Sequence, residues 1–360
     1  MDSSMKKNTL AHIEKSQGIE FGLYTLGDHI RNPHNSELLT AKERLQQIIE
    51  MATLAEQAGM DIFQVGESHQ EHFVSQAHMV ILAAIAQVTN KIKLSSGATI
   101  ISTSDPVRVF EDAATIDLIS NGRMEIVAGR AARTGIFELL GYELADYELL
   151  YEEKLDLLLK INRNKSVTWE GEYRAPLNEA QVIPRPNNET GSLPIWRAVG
   201  GSLSSARSAG MRGVPIYLSL QEGQASNYSH LTDAYRQAAY REGLEDKDIA
   251  VATAGLLYVR EDTKQAYQEY YPHVKAGLEL SDGHVMTKQQ FAQGMDAKNV
   301  LNVGDPSLIV EKILYQHEKL GMDRYVGQID WGGVSTDDIK RTIDLLATKV
   351  IPEVKKHTRK

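Results

Sequence analysis

The sequence predicts an α/β chain folded as a closed parallel (β/α)8 barrel, a TIM barrel with insertions. Short apolar runs alternate with longer amphipathic stretches, and the alternation repeats eight times with no obvious linker. A length of 360 residues suits one such barrel, and a hydrophobic content of 42% supplies its large core. A doubly wound open sheet is the rival, but it does not normally need eight units in one uninterrupted series.

Residues 1–18 are polar and read as a flexible N-terminal extension, with the barrel domain over 19–360. The first strand is "IEFGLYT" (19–25), followed by a helix over 41–58 whose Leu45, Ile48, Ile49, Ala52 and Ala55 form one apolar stripe. "DIFQVG" (61–66) is the second strand and 77–89 a buried helix. "KIKLSSGATI" is the third, and Pro106 opens the next helix, where a proline is tolerated in the first turn. "RMEIVAG" (123–129) is the fourth strand, with a helix at about 147–162. An insertion near 165–190 contains "SVTWEGEYRAP", which reads as a hairpin or loop. "LPIWRAV", "GVPIYLS", "IAVATAGLLYV" and "DRYVGQID" complete the eight strands, each followed by a helix. Residues 275–304 show no clear period and read as a second insertion, a candidate lid over the barrel mouth.

The formal charge of −9 and the absence of any basic block argue against nucleic acid as a partner. With no cysteine, disulfides, thiolate metal sites and thiol catalysis are excluded. No apolar core follows the first lysines and no run approaches a bilayer span, so a cytoplasmic protein without membrane attachment is expected.

A barrel places its site at the C-terminal strand ends. The turn "VGGSLSS" (199–205) has the layout of an anion cradle, with amides around Gly201 to Leu203 and the hydroxyls of Ser202 and Ser205 as donors. It equally suits a tight turn with Ser202 as helix cap. In "AGRAARTG" (128–135), Arg130 or Arg133 can offer a guanidinium to a phosphate, or simply pair with surface carboxylates. "GESHQEHF" (66–73) gathers Glu67, His69, Glu71 and His72, but the spacing is not H-E-x-x-H and no metal is expected. Glu67 and His69 are placed for polar contacts or proton transfer. Gly97 either admits a flat ligand against the third strand or marks an ordinary bulge. Tyr24, Trp196, Tyr217 and Trp331 are either substrate walls or core.

Together these stretches resemble the bacterial luciferase-like superfamily of flavin-dependent monooxygenases, over nearly the whole chain after residue 18. The most specific parts are "DPVRVFEDAATIDLISNGRMEIVAGR" (105–130) and "VGGSLSSARSAGMRG" (199–213), supported by "VGESH" (65–69) and "VIPEVKK" (350–356). The resemblance implies a barrel that binds FMN or, in some branches, the deazaflavin F420. It implies phosphate contacts from Arg130, Gly201, Ser202 and Ser205, and a non-proline cis peptide at Gly97–Ala98 beneath the flavin ring. Two departures stand out. The Glu-His-His run of luciferases and many of their relatives reads Glu67-Ser68-His69 here, and Gly129 stands where luciferase has a cysteine before the phosphate arginine. Aldehyde-dependent light emission is therefore not implied. The function expected is a two-component monooxygenase. It takes reduced FMN from a separate NAD(P)H-flavin reductase and uses O2 on a small organic substrate, with Glu67 and His69 orienting polar groups or moving protons. An F420-dependent reductase or dehydrogenase, or a non-catalytic flavin-binding relative, are the alternatives. Luciferase-like proteins are often dimers, so a homodimer is expected.

Overall fold

The computed structural model describes residues 13–283 and 285–359; of the extension expected over 1–18, residues 1–12 lie outside the described residues, and Lys15–Gln17 form a 3-10 turn. Eight parallel staves close the barrel: β1 (Glu20–Thr25), β2 (Ile62–Val65), β3 (Lys93–Ser96) continued by β4 (Thr99–Ile100), β5 (Met124–Gly129), β8 (Ile195–Val199), β9 (Ile216–Ser219), β10 (Val251–Val259) and β12 (Arg324–Gln328). Closure is the pairing of first with last, Glu20↔Arg324 through Leu23↔Gly327. The open-sheet rival is thereby excluded. The insertion near 165–190 carries an antiparallel hairpin, β6 (Val167–Trp169) with β7 (Leu177–Ala180), off the barrel. Glu153 accepts from the backbone N–H groups of Glu172, Tyr173 and Arg174, which ties the hairpin turn to the barrel wall.

Helices α1 (Ala41–Gln57), α2 (His78–Val88), α3 (Pro106–Ser120), α4 (Gly135–Leu140), α5 (Tyr147–Arg163), α6 (Leu203–Arg212) and α7 (Ser229–Arg241) follow the chain through the first six staves. Thr40 caps α1 with a reciprocal Glu43 contact, and Asp105 caps α3 just before Pro106. The shell between strands and helices is one continuous apolar cluster, while a smaller one fills the barrel interior.

Two segments differ from the sequence expectation. The helix α8 (Thr263–Asp282) runs through the start of 275–304, followed by the short α9 (Lys288–Ala292) and then by β11 (Asn302–Gly304), which pairs in parallel with the end of β10. The buried Lys312 ammonium of α10 (Pro306–Leu320) holds this segment by donating to the carbonyls of Gly294, Asp296 and Asn299. A period-based reading misses it because its order comes from this distant lysine and not from a repeating stripe. The last helix is also not one element: α11 (Thr336–Leu345) passes through a π turn over 346–350 into α12 (Ile351–Thr358). Pro352 supplies no N–H for the α pattern there, which accounts for the slip in register.

Inside the barrel, bulk and charge sit low and small residues sit high. At the bottom, Arg324 is fully buried between Glu20 and Glu125. Lys93 pairs with Glu20 and lies 3.9 Å from Glu125. The Trp196 indole N–H donates to Glu125, and its ring lies 4.6 Å from the Arg324 guanidinium. The short 3-10 turn Lys15–Gln17 docks beneath, with Lys15 paired to Asp323 at 3.1 Å. Toward the mouth, the interior positions are Ala98, Ala198 and Ala254, which leave room above the packed floor.

Burial pushes the Glu125 carboxyl up, but the Arg324 guanidinium and Lys93 ammonium outweigh it and hold the carboxyl well below its ordinary value of 4.5. The stability this pairing contributes is therefore present above the ordinary carboxylate range and is lost as the pH falls through the depressed folded value. Glu125→Gln, which leaves Arg324 short of one counter-charge, is expected to lower unfolding free energy by about 3 kcal/mol at neutral pH. Urea midpoints measured from pH 6 down to pH 3 should fall less steeply in the variant than in the parent; equal slopes would remove Glu125 from the acid response.

Candidate active site

The C-terminal strand ends surround a cleft of about 560 Å³, within the size range of cofactor and substrate pockets. Its walls come from the turns after β1, β2, β4, β5, β8 and β9. Glu67, His69, Gly97, Ala98, Arg130, Gly201 and Ser202 all line it. Ser205 does not, and lies buried behind it.

The turn after β2 is held by close backbone approach. A Cβ at Gly66 would stand 2.5 Å from the Gly97 carbonyl oxygen, so only glycine fits there. The Glu67 N–H then donates to the Ala98 carbonyl, and Glu67 Oε2 accepts from the Ile100 N–H at 2.7 Å. Its other oxygen, Oε1, pairs with His69 Nε2 at 2.8 Å. The carboxylate thus joins the β2 turn to the β4 backbone and fixes the His69 ring, which leaves Nδ1 as the ring's second polar atom. His78, at the start of α2, completes the group by bonding Thr99 Oγ1 at 2.8 Å, with Nδ1 3.8 Å from Glu67 Oε2. Burial lowers the His78 imidazole below its ordinary value, with Glu67 opposing. Among the described residues, no group of three or more His, Cys, Asp or Glu side chains is placed to hold a metal ion.

The peptide between Gly97 and Ala98 is cis, as the sequence resemblance implied. It divides the third stave into β3 and β4. Gly129 faces it: a Cβ there would lie 2.7 Å from Ala98 Cβ, so a larger residue would crowd this turn. Beneath sits Gln64, fully buried, whose Oε1 accepts from the Tyr217 hydroxyl at 2.7 Å. Its Nε2 is buried with no protein partner. Sequence reasoning passed over Gln64, yet one amide within the apolar run "DIFQVG" was a legible signal. Of the four aromatics singled out, Tyr24 and Tyr217 line the cleft, while Trp196 and Trp331 are buried in the core. None of the described residues of 275–304 lines it, so the segment expected as a lid stands aside.

The opposite wall is the turn between β8 and α6. Ser202 is the helix cap, its Oγ accepting from the Ser205 N–H at 3.3 Å. The N–H groups of Leu203 and Ser204 lie in the first turn, where helix geometry leaves donors for an outside acceptor. Ser202 is thus the helix cap, a role compatible with the anion-cradle reading of "VGGSLSS". Gly201 adopts a φ of +145°, and a Cβ there would meet nothing within 4 Å.

Arg130 reaches this turn from β5. Its guanidinium donates to Ser205 Oγ at 3.2 Å, pairs with Glu148 at 2.9 Å and Glu152 at 3.2 Å, and lies 4.0 Å over the Tyr151 ring. Its Nε is buried without a partner. The fully buried Arg197 donates to the same Ser205 oxygen at 3.0 Å and to both oxygens of Glu152, which also takes Arg212 at 3.1 Å. Ser205 thus sets the position of Arg130 and does not reach the cleft itself. Arg133, the other candidate, also lines the cleft, with its guanidinium 4.8 Å from the Phe73 ring centroid.

Among known proteins, the family described as luciferase-like monooxygenase matches residues 19–324. The oxygenase component of the flavin-dependent trigonelline monooxygenase of Acinetobacter baylyi is 20% identical over 346 residues, 88% of this chain and 92% of that protein. Monooxygenase RslO1 from Streptomyces bottropensis shares the fold with a TM-score of 0.79 at 20% identity, covering 93% of this chain and 99% of that one. The oxygenating constituent of 3,6-diketocamphane monooxygenase from Pseudomonas putida, solved with FMN, does so at 0.73 and 18%, covering 93% and 98%. The F420-dependent tetrahydromethanopterin reductase of Methanopyrus kandleri does so at 0.70 and 18%, covering 94% and 99%.

Gly201→Ala tests the backbone of the cradle. The added methyl has space, so its effect is conformational strain of about 1–3 kcal/mol at a φ that L side chains rarely adopt. Chemical denaturation should report a loss of that size; an unchanged midpoint would show that the turn relaxes freely.

Proposed function

The chain belongs to the luciferase-like monooxygenase family, and we propose that within it the chain is the oxygenase of a two-component system. It takes FMN reduced by a separate NAD(P)H-flavin reductase and uses O2 on a small organic substrate. The observation that carries this reading is that the anion cradle at Ser202 and the Gly97–Ala98 turn face one cleft. That is the placement a ligand with a flat ring and a terminal phosphate requires.

The residues present fit such a ligand. Arg130, Gly201 and Ser202 with the first-turn amides of α6 would hold the phosphate, and Ser205 would hold Arg130. Arg130 Nε and Gln64 Nε2 are buried donors without a hydrogen-bond partner, Arg130 in the cleft wall and Gln64 beneath Gly97. Ala98, Ala198 and Ala254 leave space for the ring system. When bound, the reduced flavin supplies two electrons, so that one oxygen atom of O2 enters the substrate and the other leaves as water. Glu67 orients His69, whose Nδ1 is placed to hold or pass a proton at the cleft wall. The cleft floor excludes bulk water from below, because Tyr217 and Gln64 close the barrel interior beneath it. The described residues contain no helix long and apolar enough to cross a membrane. We place the enzyme in the cytoplasm as a homodimer.

The reading is tested by adding FMN or F420 to the purified chain and comparing protection against thermal unfolding. A ligand at about 100 times its Kd should stabilise by about 2.7 kcal/mol. Reduced FMN, O2 and a panel of ketones, aldehydes, alkanes and sulfonates should then yield a product carrying one labelled oxygen from 18O2. Protection by F420 in preference to FMN would favour an F420-dependent reductase. FMN binding without any product would leave a flavin-binding protein.

A further inference from the structure

The cradle at α6 has an occupant of its own. Glu148 is the second residue of α5, and its carboxylate pairs with Arg130 at 2.9 Å while its side chain is 66% exposed. Glu152, one turn further along the same face, is different: it also binds Arg197 and Arg212 and is built into the wall. Glu148 pairs with Arg130 alone and lines the cleft beside Gly201 and Ser202. We propose that Glu148 is an internal competitor for the cofactor phosphate, presenting a carboxylate to the Arg130 guanidinium where a phosphate oxygen would bind. This inference rests on the flavin reading above and explains how that site would release its flavin.

Charge supports the competition. Within the network behind the cradle, Arg130, Arg197 and Arg212 face Glu148, Glu152 and Asp156, so that network is balanced in charge, and Arg133 is a further cation lining the cleft. A dianionic phosphate is attracted by the first-turn amides of α6 and by Arg130, and meets Glu148 as a like charge. The carboxylate has somewhere else to go. It sits in the first turn of α5, where a negative side chain interacts favourably with its own helix N-terminus. Because an exposed ion pair costs little to break, phosphate displaces Glu148 readily, and Glu148 returns readily when the flavin leaves. Flavin is thereby held as an exchangeable co-substrate and not as a resident group, as a chain supplied by a separate reductase requires.

Glu148→Gln removes the charge and keeps the size at an exposed position, so the fold is expected to survive; circular dichroism and the thermal midpoint establish that. Dissociation constants of oxidised FMN and of riboflavin are measured by flavin fluorescence, and of inorganic phosphate by its competition with FMN and by calorimetry. FMN and inorganic phosphate should bind the variant about 2- to 10-fold tighter than the parent, with riboflavin unchanged. FMN dissociation in stopped flow should slow correspondingly. Unchanged or weaker FMN binding to Glu148→Gln, with the parent binding FMN normally, would overturn the competition and leave the flavin reading standing. Equal tightening of riboflavin would also overturn it, since the effect would not act through phosphate. If neither protein binds FMN or phosphate, both the flavin reading and the competition fall.

Discussion

The cleft depends first on closure of the barrel, and closure depends on what fills the lower interior. Arg324 enters from the last stave and is held by Glu20 on the first and Glu125 on the fourth, with Lys93 and Trp196 completing the group. A cation at that depth is tolerable only because its counter-charges are on the facing strands. The same contacts therefore join β12 to β1 and fix both across the barrel to β5. Above this charged layer, the aromatic and aliphatic side chains give way to alanines, and the cavity begins where the side chains become too small to meet.

A second ionic group, outside the staves, positions the cradle. Glu152 on α5 gathers Arg130, Arg197 and Arg212 from β5, β8 and α6. Arg197 is fully buried, so its carboxylate partner cannot be lost without stranding a charge. Ser205 receives two of these guanidinium groups and so links helix position to arginine position. The Ser202 end of the cleft is rigid because its supports are shared. Glu148, attached at one point only, is the part of this wall that can move.

The other wall works through backbone. Gly66, Gly97 and Gly129 let three adjacent strand ends approach more closely than side chains permit. Glu67 then uses both carboxylate oxygens in fixed bonds, one to the Ile100 N–H and one to His69. That arrangement makes Glu67 an orienting group and leaves His69 as the residue with a polar atom to offer. Ser68, between them in the chain, lines the cleft with a hydroxyl and not an imidazole.

Much of this was legible from residues alone. Eight apolar runs at the right spacing specify eight staves, because strand and helix periods are local and their alternation leaves few topologies. Gly200, Gly201 and Ser202 announced a tight turn and a helix cap, since those roles depend on neighbouring backbone. Other features had no local signal. Lys312 orders the segment near 294–299 by bonds to carbonyls that any sequence would present, and Pro352 shifts the last helix where the apolar stripe runs on unbroken. Arg130 and Arg133 were equivalent on the page, and only folding brought Ser205, Glu148 and Glu152 to the first of them. Pairings between charges far apart in the chain leave no periodicity to read, because either partner makes the same pattern whether or not the other is near. The sequence by itself determined the barrel and the strand ends that bear the site. Which charges meet there, and so how firmly a phosphate can be held, was decided by the tertiary structure.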